Sequence, residues 1–161
     1  MTAGTRERWR ATGGRALEFL ERFRWLALLL GRLSVGLVFV STGWGKVHDL
    51  PKVTAYFQSL GIPAPGFNAV LVGYSELLCG SAIVVGLLTR LATIPLLVSM
   101  IVAILTARIG DLHGVFDLVG FEEFTYLAVL VMLLLLGPGA ASVDHLLVRR
   151  MGEERGSSGP R

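Results

Sequence analysis

The sequence predicts an all-α fold, an integral membrane four-helix bundle with both termini in the cytoplasm, and three observations carry that prediction. Hydrophobic residues make up 53% of the 161 and charged residues only 17%, with a mean hydropathy of +0.64, too apolar for a soluble domain of this length. Four long apolar stretches, at roughly 20 residues per span, use about half the chain and leave no room for a separate soluble domain. Lys and Arg divide eleven against three between the two sides of these stretches, and the positive-inside rule puts the richer side in the cytoplasm.

Residues 1–24 are a basic lead holding six Arg, in which Leu17, Leu20 and Phe23 recur at helical spacing. They read as an interfacial anchor or an early start of the first span. Basic residues that flank apolar spans point to the bilayer surface as partner and away from nucleic acid, which needs a basic face on a soluble module. The first span covers 25–47. A cleavable signal peptide is its rival reading, opposed by the long basic region, by Arg32 inside the apolar part and by the three spans that follow.

Asp49-Leu50-Pro51 then offers a cap and a first-turn proline. Val53, Tyr56, Phe57 and Leu60 share one face, and Gly61 with Pro63 stops the segment, so a short helix is expected over the outer end of the bundle. The second and third spans cover 67–87 and 91–107, joined by a tight turn, with Pro95 tolerated near the start of the third. The fourth apolar run, 124–136, has 13 residues, roughly 20 Å of helix against a ~30 Å hydrocarbon core. Its helix is therefore expected to begin near Asp117, with Glu122 and Glu123 inside it. Gly137-Pro138-Gly139 ends it, and Ser142-Val143-Asp144 opens a short tail segment. The bundle is expected over 25–147, followed by a polar tail over 148–161. Gly36 with Gly43 and Gly73 with Gly80, each seven apart, mark faces along which the first two spans are expected to pack.

A charge at mid-bilayer costs about 2.5–3.5 kcal/mol on insertion scales, so each one must be paired, protonated or wetted. Arg32 lies about 10 Å from the cytoplasmic edge and Glu76 about 13 Å from the outer edge. Depth makes them expected partners, although Cα–Cβ bonds tilt toward the helix N-terminus and aim the two side chains apart. The pair is either a structural interhelical bridge or leaves Glu76 to hold a proton or contact a polar headgroup. Lys46 and Arg108 end their spans on the outer side. With Glu122, Glu123, Tyr74 and Tyr126 they are candidates for a polar chamber in the outer half, capped by the short helix. The other reading leaves Glu122 and Glu123 facing headgroup water.

Cys79 is the only cysteine, which excludes an internal disulfide, a CxxC pair and a cysteine zinc site. His48, His113 and His145 lie at helix ends or in loops, where none faces inward from a span as a haem ligand must. Asp111-x-His113 and His48-Asp49 each supply only two groups, so no metal site is expected. No phosphate loop, serine-nucleophile motif or dinucleotide fingerprint occurs, and no catalytic residue is assigned.

Leu33 followed by the Gly36 span, Ser41-Thr42-Gly43-Trp44-Gly45-Lys46, the Leu60-Gly61-Ile62-Pro63-Ala64-Pro65 loop, Glu76 with Gly80, Gly86-Leu87-Leu88-Thr89-Arg90, and Gly137-Pro138-Gly139 with Ser142-Val143-Asp144 stand in an order and spacing that resembles the DoxX family of small four-helix membrane proteins, over residues 28–147. The resemblance implies a multi-pass protein of a bacterial or archaeal cytoplasmic (inner) membrane. It also implies a link to quinone-coupled oxidoreductase complexes and to redox or sulfur-compound metabolism. Arg32, Lys46 and Glu76 match polar positions of the family. The function expected from it is that of an accessory subunit of a quinone-linked oxidoreductase or redox-homeostasis system. Such a chain has no intrinsic redox cofactor, and a quinone headgroup would be bound through Glu76, Tyr74 or Arg32. The expected partners are the lipid bilayer and a redox subunit or a second copy of the chain. The alternative is a non-enzymatic scaffold, assembly factor or small-solute permease.

Overall fold

A computed structural model describes residues 22–146 and 149–150. The expected interfacial segment at 15–24 and the polar tail lie outside the described residues except at their edges. Every regular element among the described residues is helical, in keeping with the all-α expectation: α1 Arg24–His48, α2 Leu50–Ser59, α3 Pro65–Val85, α4 Thr89–Ala107, α5 Val115–Gly120 and α6 Glu122–Leu136, with a 3-10 turn at Ile109–Asp111. The long helices α1, α3, α4 and α6 form a ring in which each packs on the next and α6 returns to α1.

Three of them, α1, α3 and α4, are long and apolar enough to cross a membrane. The fourth departs from expectation. Phe121 is extended (φ −76°, ψ 135°), so the helix expected to run on from near Asp117 is broken into α5 and α6, and α6 keeps 15 residues, about 22 Å. The local sequence explains the break. Gly120 is a weak helix former, and two adjacent carboxylates are favoured in a helix's first turn, where free N–H groups and the macrodipole meet them. Glu122 and Glu123 occupy that turn of α6.

The glycine seam is as expected. A Cβ on Gly80 would lie 2.9 Å from the Val40 amide nitrogen and one on Gly36 would lie 2.7 Å from a Val84 methyl, while one on Gly43 would run into the Leu77 backbone. The missing side chains let the α1 and α3 backbones touch. α2 also forms as expected. The Asp49 carboxylate accepts the Lys52 N–H at 3.2 Å, and Gly61, at φ +71°, takes the left-handed conformation that lets the chain turn back toward α3. Pro95 stays within an unbroken α4.

Val35, Phe39, Ile83, Leu96, Leu130 and Leu133, all at most 2% exposed, fill the middle of the ring as an apolar plug. Beyond it, at the end where α6 stops, the 143–146 helical segment is tied across the α3–α4 turn. The Asp144 carboxylate accepts the Leu88 N–H at 2.8 Å and the Thr89 N–H at 3.2 Å, while its own N–H donates to the Gly86 carbonyl at 3.0 Å. Two amides at the start of α4 are thereby capped from 55 and 56 residues away. This is called the tail end below, and the other is called the chamber end.

Candidate functional site: a one-ended chamber

On the other side of the plug the four long helices enclose a cavity of about 1140 Å³, with α2 forming one wall through Val53, Tyr56, Phe57 and Leu60. Phe39 and Met100 close its deep end. Of the residues singled out from sequence, Lys46, Glu76, Glu122, Glu123 and Tyr126 line it.

Glu76, at 1% exposed, is its most buried charge. One carboxylate oxygen accepts the Thr42 hydroxyl at 3.0 Å and pairs with the Lys46 ammonium; the other accepts the Ser99 hydroxyl at 3.1 Å. The backbone directions bring this about. α1 and α3 run antiparallel, and each Cβ tilts toward its own helix N-terminus. Lys46, near the end of α1, is thereby drawn back into the bundle while Glu76 leans toward the chamber end, and the two meet. Thr42 and Lys46 stand four apart on one face of α1 and approach the same oxygen.

The same tilt separates Arg32 from Glu76, so the pair expected on depth is not formed. Arg32, 3% exposed, points to the tail end, where Nη1 donates to the Pro138 carbonyl at 3.0 Å and Nη2 to the Ala141 carbonyl at 2.7 Å. Tyr74 is not in the chamber either. Two residues from Glu76 it lies about 200° round α3, and its side chain is exposed on the outside of the bundle. Arg108 stands at the edge of the chamber. Its Nε donates to Glu123 Oε1 at 3.0 Å, and its guanidinium lies 5.6 Å from the centroid of the Phe121 ring. That hydrogen bond, together with the charge of Glu123, raises the Arg108 pKa further above its ordinary value, so this partner is charged at every accessible pH.

Thr42 and Ser99 were not among the sequence candidates, because a lone hydroxyl in an apolar span most often returns its proton to the preceding turn and looks like packing. A signal was available: Thr42 lies one helical turn before the candidate Lys46. Asp144 escaped notice as a cap for α4 because its partner amides are remote in sequence. Among the described residues no three His, Cys, Asp or Glu side chains come together as metal ligands. What the chamber can do is hold a mostly apolar molecule with a small polar head. It offers the Lys46 ammonium and the Tyr126 hydroxyl as donors and the Glu122 carboxylate as an acceptor, while Glu123 Oε2 is shut off from the open space and without a hydrogen-bond partner.

Comparison with known proteins agrees with this architecture. The family model DoxX matches residues 27–109. The uncharacterized membrane protein Rv3486 of Mycobacterium tuberculosis is 38% identical over 130 residues, covering 74% of this chain and 80% of that protein. The inner membrane protein YqjF of Escherichia coli is 27% identical over 131 residues, covering 81% of this chain and 99% of that one. A Bacillus subtilis protein named "Putative oxidoreductase CatD" is 27% identical over 134 residues, covering 82% and 93%. No solved structure gives a significant match. A family model over more than half of the residues, and a 38% identical relative covered across most of its length, show that the chain is a membrane protein belonging to the DoxX family.

Proposed function

We propose that the chamber binds the headgroup of a lipid-soluble quinone, and that the chain serves as an accessory membrane subunit of a quinone-linked oxidoreductase or redox-homeostasis system. One observation supports this above the others. The cavity of about 1140 Å³ is somewhat larger than the roughly 300–1,000 Å³ typical of small-molecule sites, and its lining is mostly apolar with a few converging polar groups. A quinone carbonyl would accept from the Tyr126 hydroxyl or from a spare N–H of Lys46, and its isoprenoid tail would lie along the apolar helices. The chemistry-bearing residues of the chamber are ammonium, carboxylate and hydroxyl groups. Their part is to bind and orient, and the electrons would pass between the quinone and a partner subunit. The name of the Bacillus subtilis relative is consistent with this role. On the positive-inside rule both termini face the cytoplasm, so the chamber end lies on the outer side of the cytoplasmic membrane.

The test is the lipid extract of protein purified in mild detergent. Gly45 lines the chamber and has open space where a Cβ would stand, so Gly45→Phe is expected to bring a ring into the cavity without a clash at its Cβ. Near-stoichiometric quinone in the wild type, reduced at least tenfold in Gly45→Phe at unchanged thermal stability, is the expected result. Absence of quinone from the wild type, together with no binding on addition, refutes the reading.

A second reading rests on a different observation: both oxygens of Glu76 are already satisfied by protein donors. On that reading the buried cluster is a strut, and the chain is a scaffold or assembly factor.

A further inference from the structure

The chamber is polarised across its width. Its charged lining residues are Lys46 on α1, Asp49 and Lys52 at the start of α2, Glu76 on α3, and Glu122 and Glu123 at the start of α6, while α4 contributes none. From α4 it is lined by Pro95, Ser99, Val102 and Thr106, which at intervals of four, three and four form one stripe along that helix. Ser99 donates to Glu76, so the stripe faces α3, whose lining residues there are Leu71, Val72 and Ser75. The other hydroxyls of this cleft are already engaged, Ser75 with the Val72 carbonyl at 3.0 Å and Thr106 with the Val102 carbonyl at 2.8 Å. The cleft also reaches the outside of the bundle. Met100 and Glu76 mark the buried faces of α4 and α3. Val98 and Val102 stand about 200° round α4 from Met100, and Leu71 about 140° round α3 from Glu76, yet all three line the chamber and are exposed. A cavity whose lining includes the outward sides of two neighbouring helices opens between them. From Pro95 to Thr106 the slot is about 16 Å tall, about half of a ~30 Å hydrocarbon core, which sets it at the level of one leaflet's chains.

Resting on the quinone reading above, we propose that the slot between α3 and α4 is a side door to the bilayer, through which the headgroup enters the chamber and in which the isoprenoid tail stays threaded once it is bound. The distribution of charge assigns the two halves of the ligand. The head lies toward Lys46, Tyr126 and Glu122, and the tail passes out between Leu71 and Val102. A tail led out past the charged residues at the start of α2 and α6 would carry its methylenes into water, at a cost that grows with every isoprene unit. One threaded through the slot exchanges one apolar surrounding for another, so its length is immaterial. The site therefore takes a ligand whose tail is longer than the chamber, and the ligand reaches it without leaving the membrane. Leu71, Val98 and Val102 frame the door.

The experiment gives the full-length protein in lipid nanodiscs a quinone carrying a photoreactive diazirine partway along its isoprenoid tail, and maps the labelled residues by peptide mass spectrometry after irradiation. Label on Leu71, Val98 or Val102, suppressed severalfold by an excess of the same quinone without the diazirine, is the expected result. Label absent from these residues overturns the inference and leaves the chamber reading standing. So does label there that excess quinone does not suppress, which marks ordinary bilayer contact. A second measurement compares Val102→Trp with Leu105→Trp, an exposed α4 position outside the chamber lining. Val102→Trp is expected to lower co-purifying long-tailed quinone at least tenfold while a tail-less benzoquinone binds as it does to the wild type, and Leu105→Trp is expected to change neither. Full retention of the long-tailed quinone in a folded Val102→Trp variant, or equal loss of both ligands, overturns the inference. Failure of both ligands to bind the wild type overturns the chamber reading and this one with it. The labelling of the wild type decides the route even where a variant does not fold.

Discussion

Glu76 is almost wholly buried in an apolar bundle, and its ionised form is tolerable because Lys46, Thr42 and Ser99 surround it with donors. A buried pair of this kind is more damaging to break than to replace. Lys46→Met alone strands the buried Glu76 carboxylate and is expected to cost about 3–5 kcal/mol, whereas Lys46→Met with Glu76→Leu is expected to recover most of that loss. Denaturant unfolding in detergent measures both. The corresponding cycle between Arg32 and Glu76 is expected to give a coupling within about 0.5 kcal/mol of zero, since the two share no partner. These residues also show where reading from sequence stops. Their burial followed from composition and depth, and their partners did not. Depth along a helix is one coordinate, while pairing also depends on azimuth and tilt. Azimuth removed Tyr74 from the chamber, and tilt sent Arg32 and Glu76 to opposite ends.

At the scale of elements, α1 carries two nearby glycines with opposite duties. Gly43 faces the Leu77 backbone of α3, and Gly45 faces open space. Gly43→Ala is expected to force the two helices apart and to destabilise by about 1–3 kcal/mol or more. Gly45→Ala is expected to be neutral or to stabilise by about 0.5–1 kcal/mol through the better helix propensity of alanine. Thermal unfolding of the two single variants separates them. The seam itself was legible because seven-residue glycine spacing is a local pattern that maps onto one helix face, and α2 was legible because its cap, first-turn proline and closing glycine are all contiguous. The break before α6 was not. A hydropathy argument asks only how long a helix must be to span a bilayer, and it carried the helix back through Gly120 and Phe121. The competing preference of Glu122 and Glu123 for a first helical turn is a local electrostatic effect that the length argument does not contain.

Across the whole molecule the plug of Val35, Phe39, Ile83, Leu96, Leu130 and Leu133 makes the cavity a pocket with one end rather than a passage. On the positive-inside rule the charge asymmetry of the loops predicts which side of the membrane that end faces. A C-terminal reporter active only in the cytoplasm is expected to be active, and one inserted in the 61–64 loop inactive; the reverse pattern would place the chamber mouth on the cytoplasmic side. At the tail end, α1 holds the segment after α6 through Arg32, and that segment holds the α3–α4 turn through Asp144. Three stretches remote in sequence are thus knotted together at one end of a ring whose other end is hollow. The layout is that of a clothes-peg, with the spring at the tail end and the jaws around the chamber. Removing the Asp144 carboxylate or the Arg32 guanidinium is therefore expected to loosen the hold of α1 and the α3–α4 turn on the segment after α6, and thermal unfolding of Asp144→Ala and Arg32→Ala checks it although neither group touches the chamber.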